Sequence, residues 1–212
     1  MRCGKRLKNK ERKEGIMSDV MPENKQYLEY IKEHKKNVTK AFAIYGKLMI
    51  DIMYDDNTDK LSIWERLYEK INDTHDDSKY EEEEFEAYRR KFFPRNGEEP
   101  ISDYEFNKAW LHHIHNNPHH PEYWIYVCYD DIGNVVNSDE SVNVKIQYYQ
   151  MDYDAIIEML CDWIGMGYKF GNTAYDYYYR SNKPKILHPD TKDVVEILLA
   201  AIKDYDKELK NN

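Results

Sequence analysis

The strongest constraint on the fold is a run of apolar residues spaced three and four positions apart near the start of the chain. Between Pro22 and about Ile50, the residues at this spacing are Tyr27, Tyr30, Ile31, His34, Val38, Phe42, Tyr45 and Met49. An α-helix repeats every 3.6 residues, so this spacing collects them on one face. The pattern predicts a long amphipathic helix with the ionisable residue His34 on its buried face.

The same periodicity predicts six further helices. They cover about residues 60–73, the segment from Ser78 to 93, residues 102–118, 152–170 and 173–180, and a last helix that begins at Pro189. Ser78 is interpreted as an N-cap, because a serine hydroxyl accepts a hydrogen bond from the first turn of a helix. The acidic run 81–84 that follows is interpreted as a solvated helix start and not as a metal site.

The predicted fold class is mainly α, with one interruption. Residues 123–129 and 142–149 are rich in β-branched and aromatic side chains, and a polar stretch separates them. A β-hairpin or an irregular insertion is therefore predicted at about 123–150. Residues 18–212 are predicted to form one helical domain around this insertion, because no segment has the composition of a linker.

Charge, hydropathy and cysteine content narrow the classes of partner. The 212-residue chain has a net charge of -9, and a nucleic-acid surface needs clustered Lys and Arg, so no extensive nucleic-acid surface is expected. A small phosphorylated molecule held with metal ions remains compatible with this charge. No apolar run reaches the roughly 18 residues of a membrane span, so no membrane partner is expected. Three cysteines without a CxxC pair favour a reducing, cytoplasmic location.

Five histidines lie within nine residues, at His112, His113, His115, His119 and His120. Neutral imidazole is the commonest nitrogen ligand for transition metals, so the cluster predicts a metal site. The alternative is a polar helix face. His113 is favoured over His112 because it falls on the inward side of its helix, and both are kept as candidates. The helix is expected to end near Pro118, so either His119 or His120 is expected to turn back towards the site.

A second set of candidates is formed by His34, the adjacent pair His75-Asp76, and Asp162. Asp162 lies in an otherwise apolar helical segment, where a buried carboxylate needs a partner or a metal ion. The alternative for Asp162 is a buried hydrogen bond to a tyrosine or tryptophan. A His-Asp dipeptide alone is weak evidence, and it gains weight from His34 on the buried face of the preceding helix.

The order of these residues resembles the HD superfamily of metal-dependent phosphohydrolases: an isolated His, then His-Asp, then further His residues, then a late Asp. The resemblance covers about residues 30–165. Residues 75–79, His-Asp-Asp-Ser-Lys, also look like the His-Asp-x-Gly-Lys segment of the HD-GYP branch, with Ser78 in place of glycine and no Gly-Tyr-Pro motif elsewhere. Three segments, His-Asp-x-Ser-Lys at 75–79, Ala-Trp-x-His-His-x-His-Asn-Asn-Pro-His-His at 109–120 and Glu-Met-x-Cys-Asp-Trp at 158–163, are also similar to an uncharacterised family of small bacterial and phage proteins. This resemblance covers nearly the whole chain after Met17.

The HD resemblance implies roles for the candidate residues. His34, His75, Asp76 and Asp162 would hold one divalent metal ion, and Asp76 would bridge to a second ion held by two of the clustered histidines. The implied cofactor is one or two ions of Mn, Fe, Co, Ni or Zn. Asp76 and Lys79 are the catalytic candidates, since Lys79 lies one turn after Asp76 and its charge suits a phosphate oxygen. The alternative for Lys79 is a solvated ion pair with Glu82 or Glu83.

Three functions are compatible with this reading. The leading one is a metal-dependent hydrolase of a phosphoester, with a nucleotide or nucleotide-like small molecule as a candidate substrate. The second is an HD-type di-iron oxygenase, and the third is a non-enzymatic phage or mobile-element binding protein on an HD scaffold. The 20 tyrosines are expected at the rim of the core, with stacking against nucleobases as the alternative. Substrate, metal identity and oligomeric state stay open.

The first 17 residues are predicted to be a disordered or non-native extension. Residues 1–16 show no apolar periodicity and precede a second methionine, Met17. We expect protein expressed from its native gene to begin at Met17, and intact-mass spectrometry measures this directly. A species that begins at Met1 would contradict the expectation.

Overall fold

The computed structural model describes residues 21–129, 144–180 and 186–211. The prediction of an extension over residues 1–17 lies outside this part of the chain. The described residues confirm a mainly α fold, with seven α-helices and one pair of short strands. The helices are α1 (Pro22–Met53), α2 (Lys60–Thr74), α3 (Glu82–Phe92), α4 (Asp103–Asn116), α5 (Tyr153–Phe170), α6 (Ala174–Arg180) and α7 (Pro189–Asn211). Two 3-10 helices, Asp77–Tyr80 and Pro121–Trp124, follow α2 and α4.

Local chemistry explains several helix ends. Pro22 lies in the first turn of α1, where backbone N–H groups have no acceptor within the helix. Proline, which lacks an N–H group, therefore costs no hydrogen bond there. Ser102 and Glu105 form a reciprocal capping box at the start of α4. Gly171 ends α5 with a φ of 71°, in the left-handed region that glycine adopts without steric cost.

The prediction that Ser78 caps a helix is wrong. Ser78 lies inside the 3-10 helix Asp77–Tyr80, and Glu81 occupies the N-cap position of α3. The Ser78 hydroxyl is buried, accepts a hydrogen bond from Asn117 at 2.7 Å and lies 3.3 Å from the His113 ring. Its side chain therefore ties the segment after α2 to the end of α4.

The larger of two apolar clusters surrounds α5. This helix is apolar on most sides, and it packs along α1, with α2 and α7 completing the cluster. Gly165 permits the close approach of the two central helices, because a Cβ atom there would lie 2.9 Å from the backbone nitrogen of Val38. The smaller cluster lies between α1, α3 and α4 and contains Tyr27, Leu28, Ile31, Tyr80, Phe85, Tyr88 and Ala109.

The long helix α1 belongs to both clusters. Its residues up to Ile31 pack in the smaller cluster, and those from Val38 onwards pack in the larger one. His34 lies between these two stretches and is buried. The predicted buried face of α1 is therefore correct, and its ionisable residue falls at the junction of the two apolar clusters.

The predicted insertion contains two antiparallel strands, β1 (Ile125–Tyr129) and β2 (Val144–Tyr148), paired from Ile125 with Tyr148 to Tyr129 with Val144. The polar stretch predicted between them lies outside the described residues. Among the helices that are described, none is both long enough and apolar enough to cross a membrane.

The close packing of α1 on α5 can be tested with Gly165→Ala. In a solvated helix this change stabilises by about 1 kcal/mol, because alanine has the higher helix propensity. Here the added methyl group meets the Val38 backbone, so we expect a loss of about 1–3 kcal/mol of unfolding free energy in urea titrations. Ser62→Ala, at an exposed position of α2, is the control and should change stability little. A stabilised Gly165→Ala protein would show that the helices are farther apart.

Candidate metal centre

The adjacent residues His75 and Asp76 reach one site because the helix ends between them. Neighbouring residues inside an α-helix point about 100° apart. His75 is the C-cap of α2, and Asp76 has a φ of 55°, the only positive φ of a non-glycine residue in the described part of the chain. Aspartate tolerates this left-handed conformation better than most residues. The turn directs both side chains into the interior, where each residue is 1% exposed.

Four donor side chains converge there from two helices, α1 and α5, and from the turn after α2. The His34 Nε2 atom lies 3.1 Å from Asp76 Oδ2, 3.1 Å from Asp162 Oδ1 and 3.2 Å from His75 Nε2. The His75 Nε2 atom lies 3.6 Å from Asp76 Oδ2 and 3.8 Å from Asp162 Oδ1. Thus the residues predicted as a first metal site, His34, His75, Asp76 and Asp162, are brought together.

These spacings fit a shared metal ion. With bonds of about 2.1 Å, neighbouring ligand atoms are roughly 3.0 Å apart around an octahedral ion and roughly 3.4 Å apart around a tetrahedral one. The observed separations of 3.1–3.8 Å are close to these values. The alternative partner for Asp162, a tyrosine or tryptophan, is not needed, since its carboxylate faces two imidazoles.

A second donor group faces the other oxygen of Asp76. The Asp76 Oδ1 atom lies 3.4 Å from His119 Nε2 and 3.5 Å from His113 Nε2, and His113 Nε2 lies 2.9 Å from His120 Nε2. Asp76, His113, His119 and His120 each offer one donor atom within 4.8 Å of the others. Buried clusters of histidine and aspartate that can hold a metal ion are therefore present on both sides of Asp76.

Two buried atoms of this second group have no hydrogen bond within the described residues. They are Asp76 Oδ1 and His119 Nε2, which face each other. A buried polar atom without a partner costs about 1–3 kcal/mol. A metal ion between them would satisfy both, so the residues present fit a bound ion.

Two glutamates hold the outer nitrogens of these imidazoles. Glu158 Oε1 lies 3.0 Å from His75 Nδ1 and 3.3 Å from His119 Nδ1, and therefore contacts one histidine of each group. Glu84 Oε2 lies 2.9 Å from His113 Nδ1. A carboxylate on the far nitrogen of a ligand histidine fixes the ring and its tautomer. These glutamates act as orienting residues, because each ring directs its Nε2 atom towards Asp76.

Neither glutamate was predicted as part of the site. Glu84 belongs to the acidic run interpreted as a solvated helix start, and this interpretation is wrong for Glu84, which is fully buried. Its signal in the sequence was Tyr88, which lies four residues later and therefore on the same helix face. Glu158 lies four residues before Asp162 in an apolar helix, so the two share a helix face, and that spacing could have identified it.

The other predicted residues have different positions. Lys79 donates a short hydrogen bond to Asp76 Oδ2, and this ion pair replaces the alternative pairs with Glu82 or Glu83. His112 lies outside both donor groups, with its Nδ1 2.8 Å from Glu84 Oε1, in a surface group with Glu81 and Glu83. His115 is exposed on α4.

The charges of the centre favour ionised carboxylates. Burial opposes ionisation of Asp76 and Asp162, but positive charge from Lys79 and His75 at Asp76, and hydrogen bonds from His34 and His75 at Asp162, hold each pKa well below its usual range. Glu158 also has a pKa well below its usual range, because hydrogen bonds from His119 and His75 outweigh its burial.

The histidines divide into two kinds. Burial disfavours a charged His75, yet the carboxylates around it raise its pKa to about 10. Burial lowers the pKa of His113, and burial together with the neighbouring imidazoles lowers that of His120 further. His113 and His120 are therefore neutral near pH 7, which is the form that binds metal ions.

Fold and site together define a mainly α-helical protein with a buried histidine–aspartate centre able to hold metal ions. A family model described as "Family of unknown function (DUF5662)" matches residues 23–201. The chain therefore belongs to the DUF5662 family, and the matched range contains every residue of the centre. A search of curated proteins and a search of solved structures each give no match.

The orienting role of Glu158 can be tested with Glu158→Gln, which keeps the size and one acceptor oxygen but removes the charge. We expect Zn²⁺ or Co²⁺ to bind about 10-fold to 100-fold more weakly, as measured by calorimetric titration of chelator-treated protein. Glu29→Gln, at an exposed position of α1, is the matched control and should leave affinity unchanged. Equal affinities for the two variants would exclude Glu158 from the metal centre.

Proposed function

We propose that this protein is a metal-dependent phosphoester hydrolase with two adjacent metal positions bridged by Asp76, in an HD-type centre. One observation carries the proposal: the two oxygens of the Asp76 carboxylate face separate groups of buried donor atoms. Oδ2 faces His34 and His75, and Oδ1 faces His113 and His119. A carboxylate between two such groups is the arrangement expected of a bridging ligand in a two-metal hydrolase.

The donor set restricts the metal. His34, His75 and Asp162 would hold one ion with Asp76 Oδ2, and His113, His119 and His120 would hold the other with Asp76 Oδ1. Imidazole and carboxylate donors suit Mn, Fe, Co, Ni and Zn, and no cysteine is among these donors. The first position has more carboxylate oxygen than the second, so the second is expected to prefer the softer, nitrogen-binding ions.

Bound ions at these positions would lower the pKa of a water molecule towards 7 and compensate charge on a phosphoryl group. The chain's own residues supply the rest of the site. Lys79 is held against Asp76 by an ion pair, with its side chain 12% exposed, so its ammonium group adds positive charge at the same place. Glu158 and Glu84 keep the imidazole rings oriented, so the rings would not have to turn when a metal ion binds.

Access to the centre is confined to one side. The side chains of Asp162 and His120 are 18% and 16% exposed, whereas those of the other donors are at most 3% exposed. Asp162 belongs to the first donor group and His120 to the second. A phosphate that reaches the centre between these two side chains is therefore adjacent to both metal positions.

The proposal is tested by metal content and activity of tag-free protein purified without chelator. We expect one or two equivalents of a transition metal by elemental analysis, and hydrolysis of at least one member of a phosphoester panel. The double variant His75→Ala/Asp76→Ala should lose the metal and hydrolyse no faster than the blank, because it removes the bridge and a ligand.

The control is His188→Ala/Asp190→Ala, which removes a histidine and an aspartate that contact each other and belong to neither donor group. It should keep both metal and activity. Iron together with oxygen uptake and no phosphoester hydrolysis would favour the oxygenase. Protein that stays metal-free after incubation with these ions would overturn the proposal.

A further inference from the structure

A cavity of about 420 Å³ opens directly beside the metal centre. His120 and Asp162, the two more exposed donors, form one of its walls. Its volume lies in the range of pockets that bind small molecules. The cavity and the exposed side of the centre are therefore parts of one site, with the donor residues at one end.

Aromatic and apolar side chains form most of the remaining walls, and Glu122 and Asn172 are the polar residues among them. Trp163, Met166 and Phe170 lie along one side of α5, starting beside Asp162, because positions three and four apart share a helix face. Trp110 lies at the metal end, with its ring centroid 5.2 Å from that of His120. Tyr177 of α6 meets Trp163 edge-on, with a centroid separation of 5.2 Å.

We propose that this cavity binds a neutral, planar ring system of the substrate, with the phosphate directed to the metal centre. Only the position of the phosphate rests on the proposed function, and the ring site rests on the cavity itself. The organic group is thus a nucleobase or a similar aromatic ring, and we expect simple sugar phosphates to bind much more weakly. Planar rings stack on aromatic side chains whatever their exact hydrogen-bonding edges. Glu122 and Asn172 could serve a few hydroxyl groups of a sugar in the same place, but most of them would lie against carbon atoms, where their hydrogen bonds to water are lost.

The placement of the walls supports one ring position. Met166 lies one helical turn beyond Asp162, roughly 6 Å along the axis of α5, and Phe170 lies a further turn away. A ring beside Met166 would therefore lie between the metal end and the outer aromatic wall. Phe170 is 64% exposed and therefore contributes little to the core. A position at the outer edge of a ligand site would explain why so large an apolar side chain is exposed.

The test measures ring binding without hydrolysis. Equilibrium dialysis with adenosine, thymidine and ribose is carried out on full-length protein, with Zn²⁺ and with chelator. We expect saturable binding of at least one nucleoside in both conditions and none of ribose. Phe170→Ala should weaken nucleoside binding about fivefold to tenfold, since one stacking surface is lost. Met166→Trp should weaken it at least as much, because the larger ring fills the cavity.

The matched control is Phe92→Ala, because Phe92 is a similarly exposed phenylalanine, 57% exposed, on α3 and away from the cavity. Its nucleoside affinity should equal that of the unchanged protein. Binding without hydrolysis of any phosphoester would retain the ring site and overturn the proposed function. Hydrolysis of nucleotides and glycerol phosphate with equal kcat/KM, or nucleoside affinity unchanged by both cavity variants, would overturn the ring site and leave the hydrolase proposal standing.

Discussion

The buried charge of Asp76 is the constraint on which the rest of the structure depends. An isolated carboxylate in a protein interior is too costly to persist, so compensating groups must surround it. Lys79 pairs with one oxygen, and imidazoles approach both oxygens from several helices. The apolar core cannot close over this point. It is divided into two clusters, and the ionisable groups occupy the junction between them.

This arrangement explains why the donors come from rigid elements. His34 and Asp162 lie within α1 and α5, whose close packing fixes the distance between them. His119 and His120 lie in the short segment after α4, which has its own restraints. The Trp124 indole donates a hydrogen bond to the Pro118 carbonyl at 2.7 Å, and the His120 amide donates to Asn117 at 3.0 Å. The donor atoms are thus positioned before any ion binds, which favours tight coordination.

The outer carboxylates connect the two donor groups. Glu158 contacts His75 and His119 through one oxygen, and Lys70 pairs with its other oxygen at 2.8 Å. A change at this residue is therefore expected to act on both donor groups through the orientation of two rings. If the two proposals hold, the aromatic cavity would add a different kind of selectivity, because it would contact the organic part of the substrate and leave the phosphate to the centre. Substrate binding and hydrolysis would then depend on different residues of one pocket.

The sequence by itself predicted the seven helices and the strongest donor candidates, and it placed the insertion at about 123–150 with a β-hairpin as one of two alternatives. Apolar periodicity is a local property, and histidine is rare enough that His34, His75 and the cluster at 112–120 stand out. Tertiary structure decided which of these residues meet. It brought both His119 and His120 to the centre, because the direction of these two rings depends on the turn after Asn116. It also placed His112 against Glu84 and outside both donor groups, whereas His113, favoured by its helix face, reaches Asp76. It also recruited Glu84 and Glu158, which the sequence presents among 40 acidic residues. Burial distinguishes these two from solvated carboxylates, and burial is a property of packing between helices distant in the chain.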